Sequence, residues 1–334
     1  MTGDEVDHDQ EKRRILSIDG GGILGTFPAA FLSELEQHLE DDRPIGSYFD
    51  LIAGTSTGGV IAIALALGHS ASEILSLYER NGPKIFGENQ SVLQNSFCKS
   101  LKHIRWFYRN KYDSTALQIA LQDVLGDQCI GHAQTRLVIP AWDTAAQSVY
   151  IYKTAHHSRL KTDHLSLAID ASMATAAAPT YFPQHITKND VALIDGGVWA
   201  NNPIAIAVVE AIGILGWKRS SLRVLSLGCL EETYTVPRGA GISHLWGKAY
   251  KLLKDGQSQG AIGMAEVLAG HGHNRKSVFR VSHKVPYNSY KMDDVNKISI
   301  LKGLGHSKAR KQLSTLKPIF FDRPVEEFIP VYKT

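Results

Sequence analysis

Cysteine is scarce in this chain. Cys98, Cys129 and Cys229 are its only three among 334 residues. They are odd in number and widely spaced, which excludes a disulfide framework and a zinc cluster and points to a reducing compartment. Long apolar runs are missing as well. The longest, Val60 to Leu67, is too short to cross a bilayer. The acidic start, Met1 to Gln10, lacks the apolar stretch of a signal peptide and reads as a disordered tail through residue 12. From these absences a cytoplasmic protein is expected. Internal repeats and low-complexity tracts are lacking, so solenoids are excluded. The adjacent His156 and His157 have no third spaced ligand, and no metal is expected.

What is present is a large apolar fraction, 43%, enough for one α/β core or for a core with an appended lobe. The net charge of +3 is unevenly spread: residues 1–216 hold 16 basic and 24 acidic side chains, and residues 217–334 hold 20 and 9. A basic half of this kind suits an anionic partner, lipid or nucleotide, or is simply a solvated surface.

Gly54-Thr55-Ser56-Thr57-Gly58 is the most informative segment. Tyr48 to Ala53 reads as a short buried strand and Gly59 to Leu67 as a buried helix. G-x-S-x-G between strand and helix is a nucleophile elbow: the sharp turn strains the serine backbone, the glycines make room, and the hydroxyl projects from the end of a sheet. The following helix N-terminus suits a developing oxyanion. The pattern also arises by chance, so its context matters.

Upstream, Arg13 to Asp19 reads as a strand, Gly20-Gly21-Gly22-Ile23-Leu24-Gly25 as a loop, and Thr26 to Leu35 as a helix. The loop also fits G-x-G-x-x-G, the dinucleotide fingerprint, which needs an acid ending a second strand about twenty residues on. Glu40, Asp41 and Asp42 instead lie in a polar helix end before Arg43-Pro44. The loop reads better as converging backbone amides that hold an anionic oxygen. Downstream, Val191 to Asp195 reads as an apolar strand ending in an acid before Gly196-Gly197. Asp195 alone would suit a cap. Beside Ser56 and the glycine loop it is better read as the base that activates the serine.

These three motifs, in this order, resemble those of the patatin-like phospholipases. Ala176-Ala177-Ala178-Pro179-Thr180-Tyr181-Phe182-Pro183 extends the similarity, which covers about residues 13–210. The resemblance implies an α/β fold with a mainly parallel central sheet, helices on both faces and a helical, basic C-terminal lobe. It implies a phospholipase with a Ser56–Asp195 dyad, an oxyanion hole at Gly20, Gly21, Gly22 and Gly25, an elbow of Gly54, Thr55, Thr57 and Gly58, and a D-G-G motif at Gly196 and Gly197. No cofactor or metal is required. The substrate would be membrane phospholipid, met peripherally at the inner face of the membrane. Within the family, the bacterial antiphage effectors switched on by a cyclic dinucleotide are the nearest in feel. A cyclic dinucleotide activator is therefore expected as a partner, and a nucleic-acid polymer is not. Leu24 departs from the pattern: the family often has Arg or Lys there, and Leu24 would brace the loop by packing.

Elsewhere, Ser72 to Arg80 reads as a helix capped by Ser72. Residues 81–113 interleave aromatics such as Trp106 and Phe107 with bases such as Arg105 and Arg109, suited to a membrane contact or an acyl pocket. Ser114 to Leu125 and Leu165 to Ala178 read as helices, and Arg136 to Trp142 and Ser148 to Tyr152 as strands. Arg223 to Gly228 reads as the last strand of the main sheet. Residues 211–334 would complete the core and form the C-terminal lobe, with helices at Gly241 to Lys254, Gln257 to Leu268 and within Ile298 to Leu316. That lobe could lid the pocket, bind a regulator or join copies into a homo-oligomer. Two rival functions remain. One is a Ser–His–Asp esterase using His244, His271, His273 or His306, and the other a non-catalytic lipid- or nucleotide-binding module.

Overall fold

The computed structural model describes residues 12–87, 110–233, 235, 239, 249–271 and 275–334. The stretch of mixed aromatics and bases at 88–109 and the tail at 1–11 lie outside the described residues.

Strand β1 (Arg13–Ile18) is buried from its second residue to its last. Such an unbroken run marks a strand covered on both faces. It lies in the middle of five parallel strands, in the order β3 (Arg136–Asp143), β2 (Leu51–Gly54), β1, β7 (Leu222–Thr233) and β8 (Val278–Pro286). Three antiparallel strands complete the sheet. β4 (Ser148–Lys153) forms a hairpin with β3, β6 (Ala192–Asp195) also pairs with β3, and β5 (His185–Ile186) pairs with β6.

One face is covered by α1 (Thr26–Glu36), α2 (Thr57–Ala66), α3 (Ala71–Phe86), α4 (Thr115–Leu125), α5 (Ala168–Ala176) and α9 (Ile298–Phe320). The short α6 (Gly197–Ala200) follows β6. The other face is covered by α7 (Ile204–Gly213) and α8 (Ala249–Leu268), which pack Ala207, Val208, Ala261 and Ala265 on Ile15 and Val224. Every residue of α2 is buried, as expected of a helix apolar all round. The sheet is therefore mixed but mostly parallel, with helices on both faces.

The pairing registers create the site. Val138 of β3 faces Ala53 of β2 on one side and Lys153 of β4 on the other. Three residues on, Ala141 faces Asp195 of β6 on one side and Tyr150 of β4 on the other. A strand has two edges, so β2 and β6 share one edge of β3 and run head-on toward each other. The residues that follow β2 and those that end β6 are forced into one gap, about three residues wide (~10 Å).

Three sequence expectations need correction. Arg223 to Gly228 is not the last strand, because β8 continues the sheet beyond β7; Ser277 to Val281 reads as strand-like in the sequence, but its place in the main sheet does not show there. The two helices expected across 241–268 are, over the described residues, the single α8, which runs through Asp255 and Gly256; one glycine costs a helix about 1 kcal/mol, less than its packing returns. The cap of α3 is Ser70, not Ser72: Ser70 Oγ accepts from the Glu73 amide while the Glu73 carboxylate accepts from the Ser70 amide. That reciprocal box satisfies two orphan donors, and Ser72 has no Glu or Gln three residues on.

Candidate active site

Ser56 stands between β2 and α2 with φ 56° and ψ −128°, a conformation that costs a non-glycine residue about 1–3 kcal/mol. The surroundings hold it there. The Ser56 amide donates to Thr175 Oγ1 at 3.0 Å, and that hydroxyl donates to the Pro140 carbonyl at 2.7 Å. Thr55 is buried, with its hydroxyl on the Ala200 carbonyl at 2.7 Å, and Thr57 bonds the Tyr78 hydroxyl. The turn leaves no room for side chains on either flank: a Cβ on Gly54 would lie 2.1 Å from the Gly58 carbonyl oxygen, and one on Gly58 2.3 Å from that of Ile18.

Asp195 arrives from the opposite direction. Its amide donates to Ala177 O at 3.0 Å, and its Oδ1 accepts from the Gly197 amide at 2.6 Å. The side chain of Ser56 lies beside the same carboxylate. Burial pushes the Asp195 pKa up from 3.8 to about 6; the Ser56 side chain, the Gly197 amide and the charge of Lys254 pull the other way. Gly196 packs against the Pro140 carbonyl.

The glycine loop lies over this pair. The Gly20 amide donates to Asn201 O at 3.0 Å, tying the loop to the segment after Asp195. Among the described residues the amides of Gly21 and Gly22 donate no hydrogen bond, which leaves them available to an oxyanion. Gly22 has φ +58°, and a Cβ there would lie 2.4 Å from the Met292 carbonyl oxygen. Gly25 backs onto Thr57 and Tyr78, and Leu24 is buried in the core rather than reaching for a charge. The base of the loop is braced by an ion pair: Arg280 of β8 donates to both Asp19 oxygens, at 2.9 and 2.6 Å. Burial pushes the Arg280 pKa down, but Asp19 more than reverses that and raises it overall.

From Ser56 an apolar cleft runs outward past Val60, Leu77, Ile85, Phe86 and Phe182.

The patatin-like phospholipase family model matches residues 16–208. The chain belongs to this family. As a patatin-like phospholipase it is a hydrolase of lipid esters. A cGAMP-activated phospholipase of Pseudomonas aeruginosa (strain BWHPSA011 / Pa011) is 32% identical over 96% of this chain and 92% of that protein. Another protein with that name, from Vibrio cholerae serotype O1, is 32% identical over 75% of this chain and 74% of its own length. The crystal structure of VipD from Legionella pneumophila aligns with 92% of this chain and 67% of that chain, at 12% identity and a TM-score of 0.45.

Within this patatin-like site, among the described residues, no histidine lines the cleft. His271 Nδ1 accepts from the Ser277 and Val278 amides at 3.3 and 3.1 Å, and His306 lies 2.9 Å from a Glu34 oxygen. His244 and His273 lie outside the described residues. Among the described residues no group of His, Cys, Asp and Glu could hold a metal ion, and no helix is long and apolar enough to cross a membrane.

Sequence reading missed Thr175, Asn201, Arg280 and Met292 as parts of the patatin-like site. Thr175 carried a faint signal, as a polar residue within Met173-Ala174-Thr175-Ala176. Arg280 carried one as well, a charge inside an apolar strand. Met292 carried none, because it reaches the glycine loop through its backbone.

Proposed function

We propose that this chain cleaves acyl esters of membrane glycerophospholipids, with Ser56 as nucleophile and Asp195 as its base, and that a cyclic dinucleotide such as cGAMP switches it on. The observation that carries the reading is the Ser56 side chain lying beside a buried carboxylate at the inner end of an apolar cleft. Asp195 takes the hydroxyl proton as Ser56 Oγ attacks the ester carbonyl. The Gly21 and Gly22 amides receive the tetrahedral oxyanion. The glycerol oxygen leaves with a proton from Asp195, and the same carboxylate then draws a proton from the water that hydrolyses the acyl-enzyme. The acyl chain lies along Val60, Leu77 and Phe182.

The switch is supported by the relatives whose names state cGAMP activation, one of them matching 96% of this chain. A phospholipase that is always active would destroy the membrane of its own cell, so an off-state biased by a ligand fits an antiphage effector. Peripheral contact with the inner face of the membrane follows from such a substrate.

The test is fatty-acid release from phosphatidylglycerol vesicles by the wild type, Ser56→Ala and Asp195→Asn, with and without cGAMP. Release by the wild type in cGAMP and none by Ser56→Ala is expected. Full activity of Ser56→Ala would sink the dyad. Equal wild-type rates with and without every cyclic dinucleotide tried would sink the switch.

A further inference from the structure

The wall of the apolar cleft is built from distant parts of the chain, and one buried carboxylate joins two of them. Phe86, Tyr181 and Phe182 form an aromatic part. Tyr112 backs all three rings. Its centroid lies 5.6 Å from that of Phe86, 5.9 Å from Phe182 and 6.4 Å from Tyr181, on which it stacks. Phe86 and Phe182 meet edge-on at 5.9 Å. Two backbone bonds fix this segment in place: the Lys111 amide donates to Thr180 O at 2.9 Å, and the Tyr112 amide to Tyr181 O at 2.8 Å.

The other part is Met292, in the connection between β8 and α9 and outside the segment that matches the family model. Its carbonyl accepts from the Ile23 amide at 2.8 Å, and Gly22 lies against the same oxygen. Gly22 and Ile23 line the cleft beside it. This part of the wall is therefore fastened to the glycine loop. Asp293, the next residue, reaches across to the aromatic part. Its side chain is 7% exposed, and Oδ2 accepts from the Tyr112 hydroxyl at 2.9 Å and from the Lys111 ammonium. The same ammonium lies over the Tyr112 and Tyr181 rings, 5.2 and 5.9 Å from their centroids.

An acyl chain has no polar group beyond its ester. It is held by burial and dispersion, and a gap of about 0.5–1 Å forfeits roughly a quarter to a half of each contact. The spacing between Met292 and the aromatic rings thus decides how firmly a long chain is gripped. We infer that Asp293 is a positioning residue for acyl-chain recognition. By holding Tyr112 and Lys111 it keeps Phe86, Tyr181 and Phe182 in contact with a chain whose ester sits at the glycine loop, and so makes the enzyme select long acyl chains over short ones. This rests on the roles proposed above for Ser56 and Asp195, which place the ester at the inner end of the cleft.

The experiment measures kcat and KM separately on p-nitrophenyl decanoate and p-nitrophenyl acetate, with cGAMP present, for the wild type, Asp293→Ala, Asp293→Asn and Tyr112→Phe. The acetyl group is too short to reach the aromatic rings, so it reports on the reacting centre alone. Asp293→Ala is expected to lower the decanoate-to-acetate ratio of kcat/KM about tenfold, the scale of one hydrogen bond to a charged group, with the loss appearing as a raised KM for decanoate. Tyr112→Phe, which keeps the ring and removes only the hydroxyl, should lower the ratio in the same sense. Asp293→Asn, which keeps an acceptor oxygen, should recover most of it. An equal fall on both esters, or a fall confined to kcat, would overturn the inference and leave Asp293 as a support of the glycine loop. A wild type inert on both esters would overturn the roles of Ser56 and Asp195 along with it, whereas an active wild type whose ratio ignores both Asp293 and Tyr112 would overturn this inference alone.

Discussion

The Asp195 carboxylate is held where its charge is costly, and that cost suits the role of base proposed for it. With its pKa raised from 3.8 to about 6 by burial, it is ionised at pH 7.5 yet binds a proton far more tightly than an ordinary aspartate. Activity should therefore fall as pH drops through about 6, losing close to tenfold per unit below it, as a pH–rate profile of kcat/KM would show. Stability has the opposite sign. Between about pH 4 and 6 the folded state holds a proton that the unfolded chain has lost, so the contribution of Asp195 to stability declines as pH rises through that window. Asp195→Asn should lower kcat by about 10²–10⁴-fold while raising Tm at pH 8, measurable by activity assay and calorimetry on the same samples. At Gly22 the backbone, with φ +58°, and the nearby Met292 carbonyl both exclude a side chain. Gly22→Ala should cost an oxyanion donor its position, about 2.7–4 kcal/mol of barrier, with Ser56 still present. Labelling by a fluorophosphonate together with turnover would read this as a serine that reacts slowly.

Strands and helices supply the convergence that single residues cannot. β2 and β6 meet head-on along β3, and Thr175 of α5 spans the gap by holding the Ser56 amide and the Pro140 carbonyl at once. Thr175→Val removes both bonds and strands two buried backbone groups, at a cost of about 1–3 kcal/mol each. Urea unfolding should show the lost stability, and kcat should fall because the strained elbow loses its anchor. The elements themselves were largely legible. β1, α1 and α2 show as apolar runs and α4 as an apolar pattern of helical period, and the elbow was visible because its glycines are in the sequence. The helix behind the site, read as Leu165 to Ala178, is shorter, Ala168–Ala176. The pairing of β6 with β3, rather than with a sequence neighbour, left no local trace, because register depends on what lies across the sheet.

At the scale of the whole molecule, the matched segment is less than a folding unit. β1 pairs with β7 along all six of its residues, and β8 extends the sheet beyond β7. α9 packs along α1, and Arg280 of β8 grips Asp19 at the root of the glycine loop. A fragment of residues 13–210 would expose the central strand along one full edge. It should be recovered aggregated or unfolded by circular dichroism, whereas the full chain folds. Arg280→Met leaves the buried Asp19 charge unpaired and should destabilise the full chain by about 3–5 kcal/mol, seen as a lower denaturant midpoint. Residues 211–334 thus complete the sheet and brace the glycine loop.

The chemistry was written in the chain itself. A serine between two glycines, a loop of bare amides and an acid before a glycine pair can be read without coordinates, because each requirement is local: room for a tight turn, a missing side chain, a short acidic one. What surrounds that chemistry was decided only by folding. The meeting of Ser56 and Asp195, 139 residues apart, and the arginine beneath the loop depend on contacts between distant segments. Sequence spacing cannot encode these, because burial and pairing belong to the assembled sheet.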